Sequence, residues 1–231
     1  MFPRPREVGS LPRPSSAQDR LPRILDRLAR AYPEAGCGLD FATPFELLFA
    51  TVLSAQCTDR RVNLVTGRLF PKLDGPRSVV EMGEERLAEE IRDVGLFRAK
   101  AHALVSLSRD LIDRHQGEVP ADRKALQALA GVGSKTASVV LANAFAIPAL
   151  AVDTHVFRLS HRLGLSSAKT ADGTAEDLMA LVPKARWIDL HHQLIWHGRL
   201  VCQARAPACA TCTLLSLCPE GRRRTRSGKQ A

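Results

Sequence analysis

Between Leu126 and Ala137 the chain reads Leu-Gln-Ala-Leu-Ala-Gly-Val-Gly-Ser-Lys-Thr-Ala, with apolar residues at helical spacing on both sides. Only a very short turn can join the two helices this implies. Gly131 and Gly133 lack side chains, so the backbone can turn sharply and come close to another group. The amides through Val132, Gly133 and Ser134 then aim outward at the positive end of the second helix, where an anion is favoured. The pattern is a helix-hairpin-helix, and its consequence is a grip on phosphate that ignores sequence. An isolated Gly-Val-Gly could equally be an ordinary tight turn between packed helices, so the rest of the chain has to decide.

Helical spacing recurs almost everywhere, as in Leu104, Leu107, Leu111 and Ile112, or Ala137, Val140, Leu141, Ala144 and Phe145, while convincing alternating strands are absent. An all-α fold follows. Thr43 with Pro44 and Glu46 forms a capping-box start for one helix. Further helices are expected over about 21–32, 58–70, 84–94, 98–115, 121–130, 154–163, 175–182 and 187–200. Composition changes only at the ends. Residues 1–20, with Pro3, Pro5, Pro12 and Pro14, read as a flexible basic tail without the apolar run of a secretory signal. Residues 221–231 read as a second basic tail that could touch phosphate. No stretch approaches the roughly 20 apolar residues of a membrane-spanning helix, which predicts a cytoplasmic protein.

The 33 basic residues exceed the 24 acidic ones, for a net charge of +9, and this excess suits a polyanionic partner. Without a secretion signal the six cysteines are not expected to be disulfides. Cys202, Cys209, Cys212 and Cys218 form Cys-x6-Cys-x2-Cys-x5-Cys, dense enough for four thiolates to enclose one metal centre. Zinc and an iron-sulfur cluster both suit such a donor set. Cys37 and Cys57 lie outside the pattern and read as small buried residues, and His191, His192 and His197 as packing or helix-surface residues.

Lys135 falls in the first turn of the second hairpin helix, where the helix dipole disfavours a positive charge and so favours a neutral, nucleophilic amine. The competing reading is a solvated surface lysine. Asp153, in Ala151-Val152-Asp153-Thr154-His155, follows the helix-ending Pro148 and can cap the next helix. That role does not exclude a second, chemical one.

Leu129-Ala-Gly-Val-Gly-Ser-Lys135-Thr-Ala followed by Ala-Val-Asp153-Thr-His-Val-Phe-Arg158 closely resembles the endonuclease III family. Leu53-Ser-Ala-Gln56-Cys-Thr-Asp59 and Val94-Gly-Leu96-Phe-Arg-Ala-Lys100-Ala are similar to that family's two DNA-probing loops. The resemblance covers roughly residues 21–220. It implies two helical lobes: a six-helix barrel with the hairpin over 37–147, and a cluster lobe of 21–36 with 148–220. It also implies that Lys135 attacks C1′ of a flipped, oxidised pyrimidine nucleotide and forms a Schiff base, after which the strand is cleaved by β-elimination. Asp153 would stabilise the charge that develops. Gln56 would fill the space left in damaged double-stranded DNA and Leu96 would wedge into the opposite strand. The four cysteines resemble the family's 4Fe-4S loop, with Arg199 and Arg205 near enough to meet phosphate.

Two departures stand out. Ala130 replaces the family's usual proline before the glycine turn, and Phe97 a commonly found tyrosine. The adenine-mismatch glycosylases of the same superfamily generally lack the lysine and carry a further C-terminal domain. A non-catalytic DNA-binding module would not need Lys135 and Asp153 together. The expectation is a monomeric bacterial repair enzyme associated with the nucleoid.

Overall fold

The computed structural model describes residues 16–226. Twelve α-helices and no strand occur among them: α1 (Ala17–Ala31), α2 (Pro44–Leu53), α3 (Asp59–Leu69), α4 (Pro76–Met82), α5 (Glu84–Glu90), α6 (Phe97–His115), α7 (Arg123–Gln127), α8 (Ser134–Ala144), α9 (Thr154–Leu163), α10 (Ala171–Leu181), α11 (Trp187–Leu200) and α12 (Pro219–Arg226). The all-α expectation holds. No helix of the described residues is long and apolar enough to cross a membrane.

The apolar faces of these helices bury into two separate cores. One gathers Leu39 through Ala149, with α4 and α5 packed on α6, and α2 on α8. The other joins α1 to the chain from Leu150 to Cys218, with α11 packed on both α1 and α9. Each core therefore takes its members from a distinct stretch of sequence, apart from α1.

The ends of the chain differ from expectation. The stretch 1–20 was expected to be a tail, but the chain is helical from Ala17, and only residues 1–15 of it lie outside the described residues. Ser16 and Asp19 form a reciprocal capping box. Arg20 is buried, and its Nη1 donates to the carbonyls of Leu163 at 2.6 Å and Leu217 at 2.7 Å. It thus satisfies the end of α9 and the turn before Cys218, a role that charge composition cannot reveal. Arg20→Met is expected to cost about 2–4 kcal/mol, because charged donors to buried carbonyls are removed. A thermal melt followed by circular dichroism should show a midpoint lower by roughly 4–12 °C.

At the other end, the expected tail 221–231 begins inside α12. Glu220 pairs there with Arg223 at 2.8 Å and Arg224 at 2.7 Å, which offsets part of the charge that was expected to be free for phosphate. Residues 227–231 lie outside the described residues.

Two internal differences have local causes. The helix expected over 84–94 ends at Glu90, where Arg92 and Val94 switch to tighter bonds with the carbonyls of Glu89 and Ile91. That turn buries Ile91 and Val94 and delivers Gly95 and Leu96 to the surface. At α2, Thr43 accepts from the Glu46 amide, but the Glu46 carboxylate takes the Ala42 amide rather than that of Thr43.

Candidate active site

The hairpin is built as the sequence implies. Asp122 caps α7 by accepting from the Ala125 amide at 2.8 Å, and the turn closes with a bond from the Val132 amide to the Leu129 carbonyl. Val132 is buried under the turn, so only its backbone can face outward. Gly131 has φ +75, and a Cβ placed there would sit 3.2 Å from that of Ala103. Gly133 caps α8 with no side-chain bond, which leaves the first-turn amides unclaimed by a capping side chain. Ala130 is half-buried against the first core.

Lys135 projects from the first turn of α8 and is exposed. Asp153 stands at the N-cap of α9 in extended backbone, its Oδ1 accepting from the Val156 amide at 2.8 Å. The capping role read from the sequence is therefore present. One carboxylate oxygen is engaged and the group is half-buried.

Lys135 and Asp153 belong to different cores, yet both line each of two adjoining cavities, together with Ser54, Asp59 and Arg199. These cavities form a cleft between the cores. Arg199 Nη2 meets Asp59 Oδ2 at 2.7 Å across it, so this arginine, expected near phosphate, already holds an acidic partner. Cys37 and Cys57 each line one cavity and are half-buried rather than enclosed.

The wall behind Asp153 is set by histidines. His191 Nδ1 bonds the Ala151 carbonyl at 2.8 Å, and burial with His192 beside it pushes its imidazole down to about 4. It is neutral near pH 7 and acts by hydrogen bonding. His192 Nε2 meets Asn143 Oδ1 at 2.8 Å, tying α11 to α8 across the two cores. Gly198 lets α11 approach α9, since a Cβ there would lie 2.8 Å from His155 Nδ1. The three histidines of α11 are all buried packing residues.

Gln56 and Leu96 emerge on neighbouring loops. Both adopt left-handed backbone, φ +54 and +58, which is uncommon for residues with side chains and needs support from its surroundings. Leu96 is 60% exposed, unlike a leucine packed in a core. A Cβ on Gly95 would lie 3.9 Å from the Gln56 carbonyl oxygen, which places the two loops side by side.

Cys202, Cys209, Cys212 and Cys218 line a single cavity with Arg162 and His197. Donors converge on their sulfurs. Leu214 N reaches Cys212 at 3.4 Å, Gly221 N reaches Cys218 at 3.2 Å, and Arg162 Nη1 reaches Cys202 at 3.3 Å. His197 Nε2 lies 3.4 Å from Cys212 while its Nδ1 meets the Tyr32 hydroxyl at 2.8 Å. Burial pushes the Cys212 thiol up to about 11. Among the described residues no three His, Cys, Asp or Glu side chains are grouped as ligands of a single metal ion. Sequence reading missed Arg162, which also binds the carbonyls of Gln203 and Ala204; nothing in its local pattern marks it.

A glycine hairpin with uncapped amides, beside a cleft holding a lysine and a carboxylate, defines a class. The pattern of HhH-GPD superfamily base excision DNA repair proteins matches residues 49–184. Relatives narrow it further. The endonuclease III of Bacillus subtilis is 47% identical over 205 residues, covering 88% of this chain and 94% of its own, and that of Escherichia coli K12 is 45% identical over 195 residues, covering 84% and 92%. A solved structure of a trapped endonuclease III–DNA covalent intermediate superposes with a TM-score of 0.87 at 46% identity, covering 90% of this chain and 99% of that one. A non-covalent endonuclease III–DNA complex matches equally well, also at 0.87. The chain belongs to the endonuclease III family of the HhH-GPD superfamily, and is a DNA glycosylase with AP lyase activity acting in base excision repair.

Proposed function

We propose that Lys135 is the nucleophile and Asp153 its electrostatic partner, acting on oxidised pyrimidines such as thymine glycol flipped into the cleft. The observation that carries this reading is their convergence on one cleft from two cores. The solved relative trapped as a covalent intermediate with DNA supports covalent catalysis. Lys135 Nζ gives up a proton and bonds to C1′ as the glycosidic bond breaks, and the base leaves with the electron pair and takes up a proton. Opening of the sugar ring gives the Schiff base. Loss of a C2′ proton then expels the 3′ phosphate, and water releases the lysine. Asp153 Oδ2, which no backbone amide of α9 engages, is the oxygen available to stabilise positive charge at C1′.

Gly131 and Val132 would shape the turn that meets the DNA backbone, and the amides of Gly133 and Ser134 at the start of α8 would hold the phosphate. Gln56 and Leu96 would occupy the gap and part the opposite strand. The division into a barrel over 37–147 and a cluster lobe of 21–36 with 148–220 is supported by the two cores. In this reading the protein works as a monomer on nucleoid DNA in a bacterial cytoplasm, and its relatives in Bacillus subtilis and Escherichia coli support the bacterial setting.

The four cysteines fit a 4Fe-4S cluster. Four thiolates suit a single zinc or an iron-sulfur cluster; these four line one cavity in which a guanidinium and two backbone amides reach their sulfurs. Such donors suit cluster thiolates. The cluster would supply rigidity to the loop around it, and no step of the lyase reaction transfers an electron.

A duplex with one thymine glycol tests the reading: base release and strand nicking in one reaction are expected, while release without nicking would overturn the lyase assignment. The two hairpin glycines separate folding from binding. Gly131→Ala meets both positive φ and the Ala103 Cβ, and should cost about 1–2 kcal/mol in denaturant unfolding. Gly133→Ala enters open space at ordinary φ and should fold normally. Its methyl would crowd the bound phosphate and weaken duplex binding roughly tenfold, about 1.4 kcal/mol, measured by anisotropy at fixed salt.

A further inference from the structure

Lys100 is 5% exposed, yet it carries an ammonium group that the lyase chemistry does not use. Its Nζ donates to the Leu53 carbonyl at 2.9 Å and to the Ala55 carbonyl at 2.7 Å. The first is an end carbonyl of α2, which a cation near a helix C-terminus suits. The second belongs to the peptide unit that joins Ala55 to Gln56. Holding that carbonyl fixes the plane about which the left-handed Gln56 backbone turns.

The same residue also reaches the other loop. Its backbone amide donates to the Leu96 carbonyl at 3.0 Å, the first bond of α6. Leu96 precedes the helix in left-handed backbone with no side-chain cap. One residue therefore holds both unusual backbones, through Nζ for one and its amide for the other. Burial pulls the ammonium below the ordinary lysine value, but the two carbonyls it serves reward the charged form.

We propose that Lys100 is a positioning residue that sets Gln56 and Leu96 as one rigid pair, so that its contribution falls on nucleotide extrusion from duplex DNA rather than on bond breaking at Lys135. The proposal rests on the reading of Gln56 and Leu96 as DNA-probing residues. A loose pair would lose its hold on the gap, and the flipped state would be less populated when Lys135 attacks.

The test is a cycle with Lys100→Met, which keeps length and burial but removes the donor. Single-turnover excision of thymine glycol from a duplex should fall about 10- to 100-fold, the scale on which misplaced positioning groups act. Lyase activity on an abasic site in single-stranded DNA, which has no opposite strand to part, should change by no more than about twofold. In a Gln56→Ala/Leu96→Ala background the same substitution should add almost nothing, because its effect passes through those residues. Equal losses in both backgrounds, or equal losses on both substrates, would overturn the proposal in favour of a purely structural lysine. If Gln56→Ala/Leu96→Ala alone leaves duplex excision intact, the reading of the two loops falls, and the inference with it. Should Lys100→Met fail to fold, Lys100→Arg keeps the charge on a wider planar head and is read by the same ratios.

Discussion

Lys135→Ala should lower single-turnover strand cleavage at an abasic site by roughly 10⁴-fold or more, the scale on which loss of a covalent nucleophile acts. The fold should survive, because Lys135 is exposed and its side chain supports no neighbouring element. Asp153→Asn is the sharper companion. Asn caps a helix as well as Asp does, so the bond to the Val156 amide can be kept and the thermal midpoint should barely move. Cleavage should nevertheless fall about 10²- to 10⁴-fold, since the negative charge facing C1′ is lost. If Asp153→Asn instead melted α9 while the folded fraction kept full activity, the carboxylate would be a cap and nothing more.

Cys212→Ala should produce the largest structural effect. Its sulfur receives the Leu214 amide and faces His197, which in turn meets Tyr32 at the C-terminal cap of α1. If Cys212 holds the proposed cluster, its loss removes both an attachment of that cluster and the centre of this chain of contacts. The purified variant should carry little iron and lack the broad visible absorption of an iron-sulfur centre. Its thermal midpoint should fall by 10 °C or more, as loss of about 4 kcal/mol would produce in a chain of this size. Full iron content at an unchanged midpoint would exclude Cys212 as a ligand.

Local chemistry was legible in the sequence and distant chemistry was not. The hairpin glycines, the Asp153 cap and the Asp122–Ala137 helix pair depend on neighbours a few residues away, and their spacing announces them. α4 carries such a signal too, with Gly75 before Pro76 at its first turn, but its seven residues are too short for an apolar period to stand out. Lys100 lies within a motif that was recognised, yet its role depends on carbonyls 45 and 47 residues away. Arg199 finds Asp59 across 140 residues, and Arg20 reaches Leu217 across 197. No periodicity encodes contacts of that kind. Residues 16–20 and 221–226 differ from the expected tails for a related reason: an arginine looks solvated until the carbonyls or the Glu220 carboxylate it serves are in place.

Two cores meeting at one cleft also explain why the site residues come from separate parts of the chain. α8 brings Lys135 from the first core and α9 brings Asp153 from the second, while the bond between His192 and Asn143 and the pair between Arg199 and Asp59 join the two sides. The exposed Arg199–Asp59 pair contributes at most about 1 kcal/mol. The packing that surrounds Asn143 and His192, rather than surface charge, sets the cleft.

Borohydride trapping on a duplex with one abasic site tests the central claim most directly, because reduction makes a lysine Schiff base permanent. A covalent protein–DNA adduct that maps to Lys135 by peptide analysis and is absent from Lys135→Ala is the result predicted. A cluster-loaded protein that binds the duplex and yields no adduct, or an adduct that persists in Lys135→Ala, would contradict it.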